Sequence, residues 1–212
     1  MVRLVCKGVS KTINHISVLS DINMTLESGY IYGLQGKNGS GKTMLMRVIS
    51  GLVLPTSGSV IINGIEINRA KSFAMDAGIM LETPSFLPGY SAFRNLKLLA
   101  GIKNIIKDDQ IIDILSEIGL DPFSRQKYRT FSLGMKQKLG IACALMEDAE
   151  LLLLDEPFNA LDESSRDRLR MVLDKKRKDN KLIVLSSHDK DELEQLTDVI
   201  YTMQDGRIVE EK

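Results

Sequence analysis

Gly36-Lys37-Asn38-Gly39-Ser40-Gly41-Lys42-Thr43 is a complete G-x-x-x-x-G-K-[ST] phosphate loop, and its reading decides the fold. Its three glycines let the backbone turn tightly, with positive φ where needed, so that successive N–H groups converge on phosphate oxygens. Lys42 is placed to reach β- and γ-phosphates, and the Thr43 hydroxyl to ligate Mg²⁺. The flanks fit. Tyr30–Gln35 is an apolar, β-rich run before the loop, and Met44–Ile49 continues behind it as an apolar helix whose N-terminus adds an anion site.

Further along the chain, Leu151-Leu152-Leu153-Leu154 and Leu182-Ile183-Val184-Leu185 are continuous apolar runs. Such runs mark strands buried on both faces, as in a parallel sheet. Between them Glu163 to Lys178 reads as a charged helix with Leu169, Val172 and Leu173 on one side. Residues 1–35 read as short alternating strands, Ile16–Leu19 and Ile22–Leu26 among them. Val60–Ile67 reads as a hairpin turning at Asn63-Gly64. Together these predict an antiparallel layer beside the loop strand. From about 91 to 148 the pattern is helical, with Leu96, Leu99 and Ala100, then Ile111, Ile112, Ile114, Leu115 and Ile118, at helical spacing. Gly119 and Asp121-Pro122 end the second of these helices. Val199–Met203, Asp205-Gly206 and Arg207–Val209 form a closing hairpin. The expectation is a single α/β domain over 1–212, with a mainly parallel core sheet, an antiparallel layer and an inserted helical subdomain at about 84–148.

At 212 residues the chain can bury a sizeable core, and its 28 Lys and Arg balance 28 Asp and Glu. That zero formal charge argues against a dedicated nucleic-acid surface. Cys6 and Cys143 are isolated, which suits a reducing compartment rather than a disulfide framework. No apolar run approaches the ~18–20 residues of a membrane span. The first seven residues are too short and charged for a signal peptide. The sequence predicts a cytoplasmic protein whose membrane role, if it has one, passes through a separate chain.

A phosphate loop leaves many nucleotide-binding families open, and the tail of the leucine run narrows them. Asp155 sits at the C-terminal end of a buried strand, where open α/β sheets bind ligands, and is positioned to hold Mg²⁺. Glu156 adds a carboxylate where an attacking water needs polarising. Alone, the pair reads equally well as an acidic strand-end turn. In Thr130–Gly140, Ser132 is a good N-cap for a helix over Met135–Leu145, and Gly134 allows a close backbone approach. On spacing alone that segment is a capped amphipathic helix and nothing more.

With these pieces in order, the chain resembles the ATP-binding subunit of ABC transporters over essentially its whole length. The loop is similar to the family's Walker A, and Leu151–Glu156 to its Walker B with Glu156 as catalytic glutamate. Phe131-Ser132-Leu133-Gly134-Met135 looks like the signature usually written Leu-Ser-Gly-Gly-Gln. Asn159-Ala160-Leu161-Asp162 resembles the D-loop, and Ser186-Ser187-His188-Asp189 carries the switch histidine. The resemblance implies a P-loop ABC ATPase using ATP and Mg²⁺, with two domains packed head to tail as a homodimer or a paralogue heterodimer. Each ATP then lies between one domain's phosphate loop and Ser132, Gly134 and Met135 of the other, near Asp162. It also implies an integral-membrane permease partner and a place on the inner face of the cell membrane, and it implies no nucleic-acid partner.

Four features depart from the family pattern. Glu82 stands where a glutamine is expected, a variant that resembles exporters protecting bacteria against lantibiotics and related peptide antibiotics such as bacitracin. An ionised glutamate only accepts hydrogen bonds, can still ligate Mg²⁺, and adds charge beside Asp155 and Glu156. Ile13, with His15 close by, occupies the place of the aromatic that stacks on adenine. Met44 replaces a second hydroxyl after Thr43. Leu133 and Met135 replace a glycine and the glutamine of the signature, as in related antibiotic-resistance exporters. Thr83–Lys97, with Pro84, Pro88-Gly89, Phe86 and Tyr90, is expected to be an exposed docking surface for the membrane partner. The competing readings are a non-transport cassette ATPase acting on DNA or ribosomes, and a GTP switch. The GTP switch lacks the N-K-x-D guanine-reading motif.

Overall fold

The computed structural model describes residues 1–68, 76–82 and 85–212. Strands β1 (Arg3–Ile13) and β2 (Ile16–Glu27) form a long antiparallel pair turned at Asn14 and His15, which take φ of 48° and 64°. The two short strands expected at 16–19 and 22–26 are one strand, because the ladder runs through the polar interruption. Register shifts near Gly8 and Asp21, both at positive φ, absorb the misfit as bulges. After β3 (Ile31–Gln35) and helix α1 (Lys42–Ile49), β4 (Ser57–Ile62) turns at Asn63-Gly64 into β5 (Ile65–Glu66) as expected. β6 (Ala77–Met80), α2 (Ala92–Lys103), α3 (Asp108–Glu117) and α4 (Leu133–Leu145) follow. The chain closes with β7 (Leu151–Leu154), α5 (Glu163–Lys178), β8 (Leu182–Ser187), α6 (Lys190–Leu196), β9 (Val199–Gln204) and β10 (Arg207–Glu211).

Among the described residues the strands make two sheets. One is antiparallel, in the order β2-β1-β4-β5. The other runs β10-β9-β3-β8-β7-β6 and is parallel except for β10. The leucine runs explain this placement, since alternate residues serve opposite faces. Leu151, Leu153, Leu182 and Val184 pack toward the antiparallel sheet and α1, together with Leu4, Leu26, Leu45 and Ile49. Leu152, Leu154, Ile183 and Leu185 pack against the helices, meeting Leu96, Leu139, Leu173 and Leu193. Both faces are thus covered, as continuous apolar strands require. α4 approaches β6 so closely that a Cβ on Gly78 would lie 1.9 Å from the Ala144 carbonyl oxygen. No described helix is long and apolar enough to cross a membrane. The C-terminal ends of β3, β7 and β8 point the same way, and the phosphate loop, Asp155-Glu156 and His188 follow them in turn.

Candidate functional site

The loop after β3 is folded on itself. Lys42, only 5 % exposed, donates to the carbonyls of Gly36 at 2.6 Å and Lys37 at 3.3 Å. Gly41 caps α1 with a φ of 105°, and a Cβ there would crowd Leu19 and the Val18 carbonyl at 3.0 and 3.1 Å. Glycine is therefore required on two counts, conformation and space. The amide of Gly206, in the β9–β10 turn, donates to the Ser40 carbonyl at 3.0 Å and ties the loop to the sheet edge. The Ser40 hydroxyl is buried and without a hydrogen-bond partner. Along the loop runs a cleft of about 630 Å³ reaching His188 and Thr202–Asp205, within the usual range of about 300–1,000 Å³ for small-ligand pockets.

Opposite the loop stands the acidic end of β7. The Thr43 hydroxyl donates to Asp155 Oδ2 at 2.6 Å, and the Ser186 hydroxyl donates to Asp155 Oδ1. Ser186 Oγ in turn accepts from the Glu156 amide at 2.9 Å. Glu156 sits at φ 47°, a left-handed conformation that a non-glycine residue holds only when its surroundings enforce it. Its Oε2 meets His188 Nδ1 at 2.9 Å, and its Oε1 lies 3.8 Å from Lys42 Nζ. The structure therefore brings Lys42, Thr43, Asp155, Glu156 and His188 together from three separate segments.

A second cleft joins Asn38, Gly39 and Gly41–Met44 to Glu82, Asp155 and Glu156, with Val18 and Arg47 on its walls. Glu82 is paired with Arg47 at 2.6 Å, which offsets part of the charge it adds. No described group of three or more His, Cys, Asp or Glu side chains converges on a point, so no all-protein metal cage exists among the described residues. Magnesium does not need one, since it keeps several waters and takes one or two carboxylates plus substrate phosphates. Thr43 and Asp155 offer adjoining hard oxygen donors, and the unpartnered Ser40 hydroxyl faces the same demand from the phosphate side. The residues present fit a magnesium–triphosphate.

Other expected site residues lie elsewhere. Ser132 caps α4, which begins at Leu133 rather than Met135, by accepting from the Met135 amide at 3.2 Å. Gly134 packs so near the Ala160 carbonyl that a Cβ would lie 2.8 Å from it. Met135 is partly buried against the helical core. Asp162 caps α5, and hydrogen bonds from Ser165 and then Ser164 hold its carboxyl down at about 2. Ser132, Gly134, Met135 and Asp162 line neither of the two phosphate-loop clefts. Ile13 does not either; it lies at the tip of the β1–β2 hairpin, 39 % exposed and paired with Ile16. Val18 is the apolar side chain beside the loop. The expected docking segment includes Thr83 and Pro84, which lie outside the described residues. Phe86 and Tyr90, expected to be exposed, are half-buried. Phe86 packs edge-on to Tyr128 at 5.5 Å and Tyr90 lies under Arg94, so the rings serve the fold and Leu87 is the exposed apolar residue.

Three positions were missed from sequence. Ser186 bonds both Asp155 and Glu156, and a serine pair ending an apolar strand was the available signal. Gln137 braces the backbone of Glu156 and Pro157, and Arg47 neutralises Glu82. Neither carries a sequence signal, because a polar residue on an amphipathic helix reads as its solvent face.

Known proteins resemble this chain in sequence and in fold. The family model described as ABC transporter matches residues 19–159. An uncharacterized ABC transporter ATP-binding protein of Bacillus subtilis (strain 168) is 44 % identical over 201 residues, covering 95 % of this chain and 92 % of its own. A bacitracin transport ATP-binding protein of Enterococcus faecalis is 37 % identical over 207 residues, or 97 % of this chain and 67 % of that one. A lantibiotic transport ATP-binding protein of Streptococcus pyogenes is 34 % identical over 206 residues, 97 % and 89 % respectively. Among solved structures, a dimeric bacterial ABC transporter cassette superposes with a TM-score of 0.89 at 24 % identity, over 99 % of this chain and 97 % of that one. At that identity the likeness speaks for the fold.

Proposed function

We propose, from the premise that the chain belongs to the ABC transporter family, that it is the ATP-hydrolysing subunit of a membrane exporter for a peptide antibiotic or similar amphipathic compound. The observation that carries the chemistry is the convergence of Lys42, Thr43, Asp155, Glu156 and His188 at the ends of three parallel strands. Residues Gly36–Thr43 bind the phosphates through main-chain amides and Lys42. Thr43 and Asp155 would hold Mg²⁺, with Glu82 able to add a carboxylate, and the ion would supply positive charge to the bound phosphates. Glu156 takes the proton of the attacking water, and His188 fixes the carboxylate through its Nδ1 contact. These groups position and stabilise charge in an in-line displacement; none forms a covalent bond.

The cargo reading rests on the bacitracin and lantibiotic transport relatives and on Glu82. Two cassettes pair head to tail, so that Ser132, Gly134 and Met135 of one, near its Asp162, complete the phosphate site of the other. A separate permease carries the pair on the cytoplasmic face of the membrane. The alternative of a cassette ATPase acting on DNA or ribosomes is not favoured, since the relatives named for transport match nearly the whole chain. Phosphate release by the purified chain with Mg-ATP tests the enzyme. Turnover well above that of Glu156→Gln, with ATP still bound by the variant, is expected, and equal rates would refute it. Affinity capture from membranes tests the partner: a polytopic protein supports export, whereas nuclease-sensitive association supports the alternative.

A further inference from the structure

Glu156 is held by more than the groups that face its carboxylate. The Gln137 side-chain amide donates to the main-chain carbonyl of Glu156 at 2.9 Å and to that of Pro157 at 3.1 Å. Both of its N–H donors thereby clamp the two residues that follow Asp155. Glu156 needs such a clamp. Its φ of 47° is costly for a side-chain-bearing residue and persists only if the surroundings over-determine it. Ser186 fixes the amide side of that residue and His188 the carboxylate. Gln137 fixes the carbonyl side.

Gln137 belongs to α4, one turn beyond the cap. Ser132 closes the first turn of that helix, and Gly134 seats it on the Ala160 carbonyl. Leu133 and Gln137 share a cleft with Glu82, Asp155, Glu156, Asn159 and Ala160. A single hydrogen-bonded helix turn therefore separates the N-terminus of α4 from the backbone of the general base, and a helix turn is stiff over that length.

We propose that Gln137 is a positioning residue that couples the N-terminus of α4 to Glu156. When that N-terminus engages the triphosphate held by a second copy, Gln137 sets the carboxylate of its own site. The inference rests on the head-to-tail pairing proposed above. It assigns to this side chain the link between the two sites of the pair. A general base displaced by about 1 Å loses on the order of 10²-fold in rate while ground-state binding is untouched.

The test uses the full chain and Mg-ATP. Gln137→Glu keeps the size of the side chain but replaces the two N–H donors by acceptor oxygens facing two carbonyls. We expect kcat to fall by about 10- to 100-fold, KM for ATP to stay within about twofold, and the thermal midpoint to stay within about 3 °C. Gln137→Lys restores a donor and is expected to recover at least half of the loss on a logarithmic scale. The double variant Gln137→Glu/Glu156→Gln is expected to dimerise with ATP at the same nucleotide concentration as Glu156→Gln alone, by light scattering. Unchanged kcat in Gln137→Glu overturns the proposal. So does a rise in KM matching the fall in kcat/KM, or loss of ATP-driven dimerisation in the double variant, because Gln137 would then act on binding. If wild-type chain shows no turnover and Glu156→Gln never dimerises, the functional reading itself fails first, and this inference with it.

Discussion

Adding one methyl group at two glycines should move stability in opposite directions. Gly78 lies in β6 against α4, where a Cβ would meet the Ala144 carbonyl oxygen at 1.9 Å and Leu152 Cδ2 at 2.8 Å. The nearer obstacle is backbone, so no rotamer change relieves it. Strand and helix must separate by about 1 Å in an interior packed at crystal-like density. Overpacking of this kind costs typically about 1–3 kcal/mol, and a backbone obstacle places Gly78→Ala at the upper end. For a chain of this size each kcal/mol moves the midpoint by roughly 2–4 °C, so the expected fall is about 6–12 °C. Gly101 lies near the end of α2 with nothing within 4 Å of its added Cβ. There alanine removes the entropic penalty of glycine in a helix, about 0.5–1 kcal/mol, and the midpoint should rise by about 1–4 °C. Differential scanning calorimetry of the two variants decides the matter. A shift of the same sign in both, or a Gly78→Ala midpoint within about 2 °C of wild type, would refute the packing argument. α4 also carries Ser132 and Gln137, so Gly78→Ala should lose turnover beyond its unfolded fraction.

Glu82→Gln removes an ion pair whose side chains are 35 % and 62 % exposed, so stability should move by no more than ~1 kcal/mol. The same change lifts one negative charge from the cleft holding Asp155 and Glu156. Mg-ATP should bind more tightly near 0.01 M ionic strength, with the gain shrinking toward 1 M as screening shortens from about 30 to 3 Å; a salt-independent difference in a fluorescent-nucleotide titration would count against it. Thr43→Val deletes the hydroxyl 2.6 Å from Asp155 Oδ2, so nucleotide affinity should lose its dependence on Mg²⁺ when titrated with and without chelator, whereas a retained dependence would clear Thr43 of the metal role. Asp162 has its carboxyl held down at about 2, chiefly by hydrogen bonds from Ser165. A lowered carboxylate stabilises the fold above the unfolded-chain value of about 3.9 and loses that contribution as pH falls through the folded value. Asp162→Ala should therefore be less stable than wild type at pH 7, with the gap closing between about pH 4 and 2; a gap constant over that range in urea melts would rule out the cap.

The parts legible in the sequence were those coded by local pattern. Continuous leucine runs placed β7 and β8 in a doubly covered sheet, Asn63-Gly64 placed the hairpin, and the phosphate loop announced its ligand and its strand and helix. Each signal needs only a few neighbouring residues. What stayed hidden depends on contacts far apart in the chain. Gln137 braces a residue 19 positions away, and Ser186 one 30 positions away. Nothing in the run Leu154-Asp155-Glu156 shows that Glu156 must be left-handed. The ring of Phe86 looked like surface because its partner, Tyr128, lies across the helical layer. The β1–β2 pair looked broken because a bulged ladder spoils the two-residue alternation on which strand reading relies.

Most charged groups of the site already contact one another, and this shapes how they work. Lys42 bonds the carbonyls of its own loop, Thr43 bonds Asp155, and Glu156 is held between His188 and Lys42. On the proposed function, binding a magnesium–triphosphate would exchange internal contacts for ligand contacts. A hydrogen bond exchanged for another of like kind contributes little net energy, while an unsatisfied buried charge costs much more. The internal bonds accordingly keep the loop in its binding shape and spare the ligand the work of ordering it. The net attraction then comes from what the resting site does not satisfy. That is the Ser40 hydroxyl, the Glu156 Oε1 left without a hydrogen-bond partner, and the crowding of Asp155 and Glu156, which a divalent ion would relieve. On the proposed function, Asp155 and Glu156 would repel bare ATP and favour ATP that arrives with its metal.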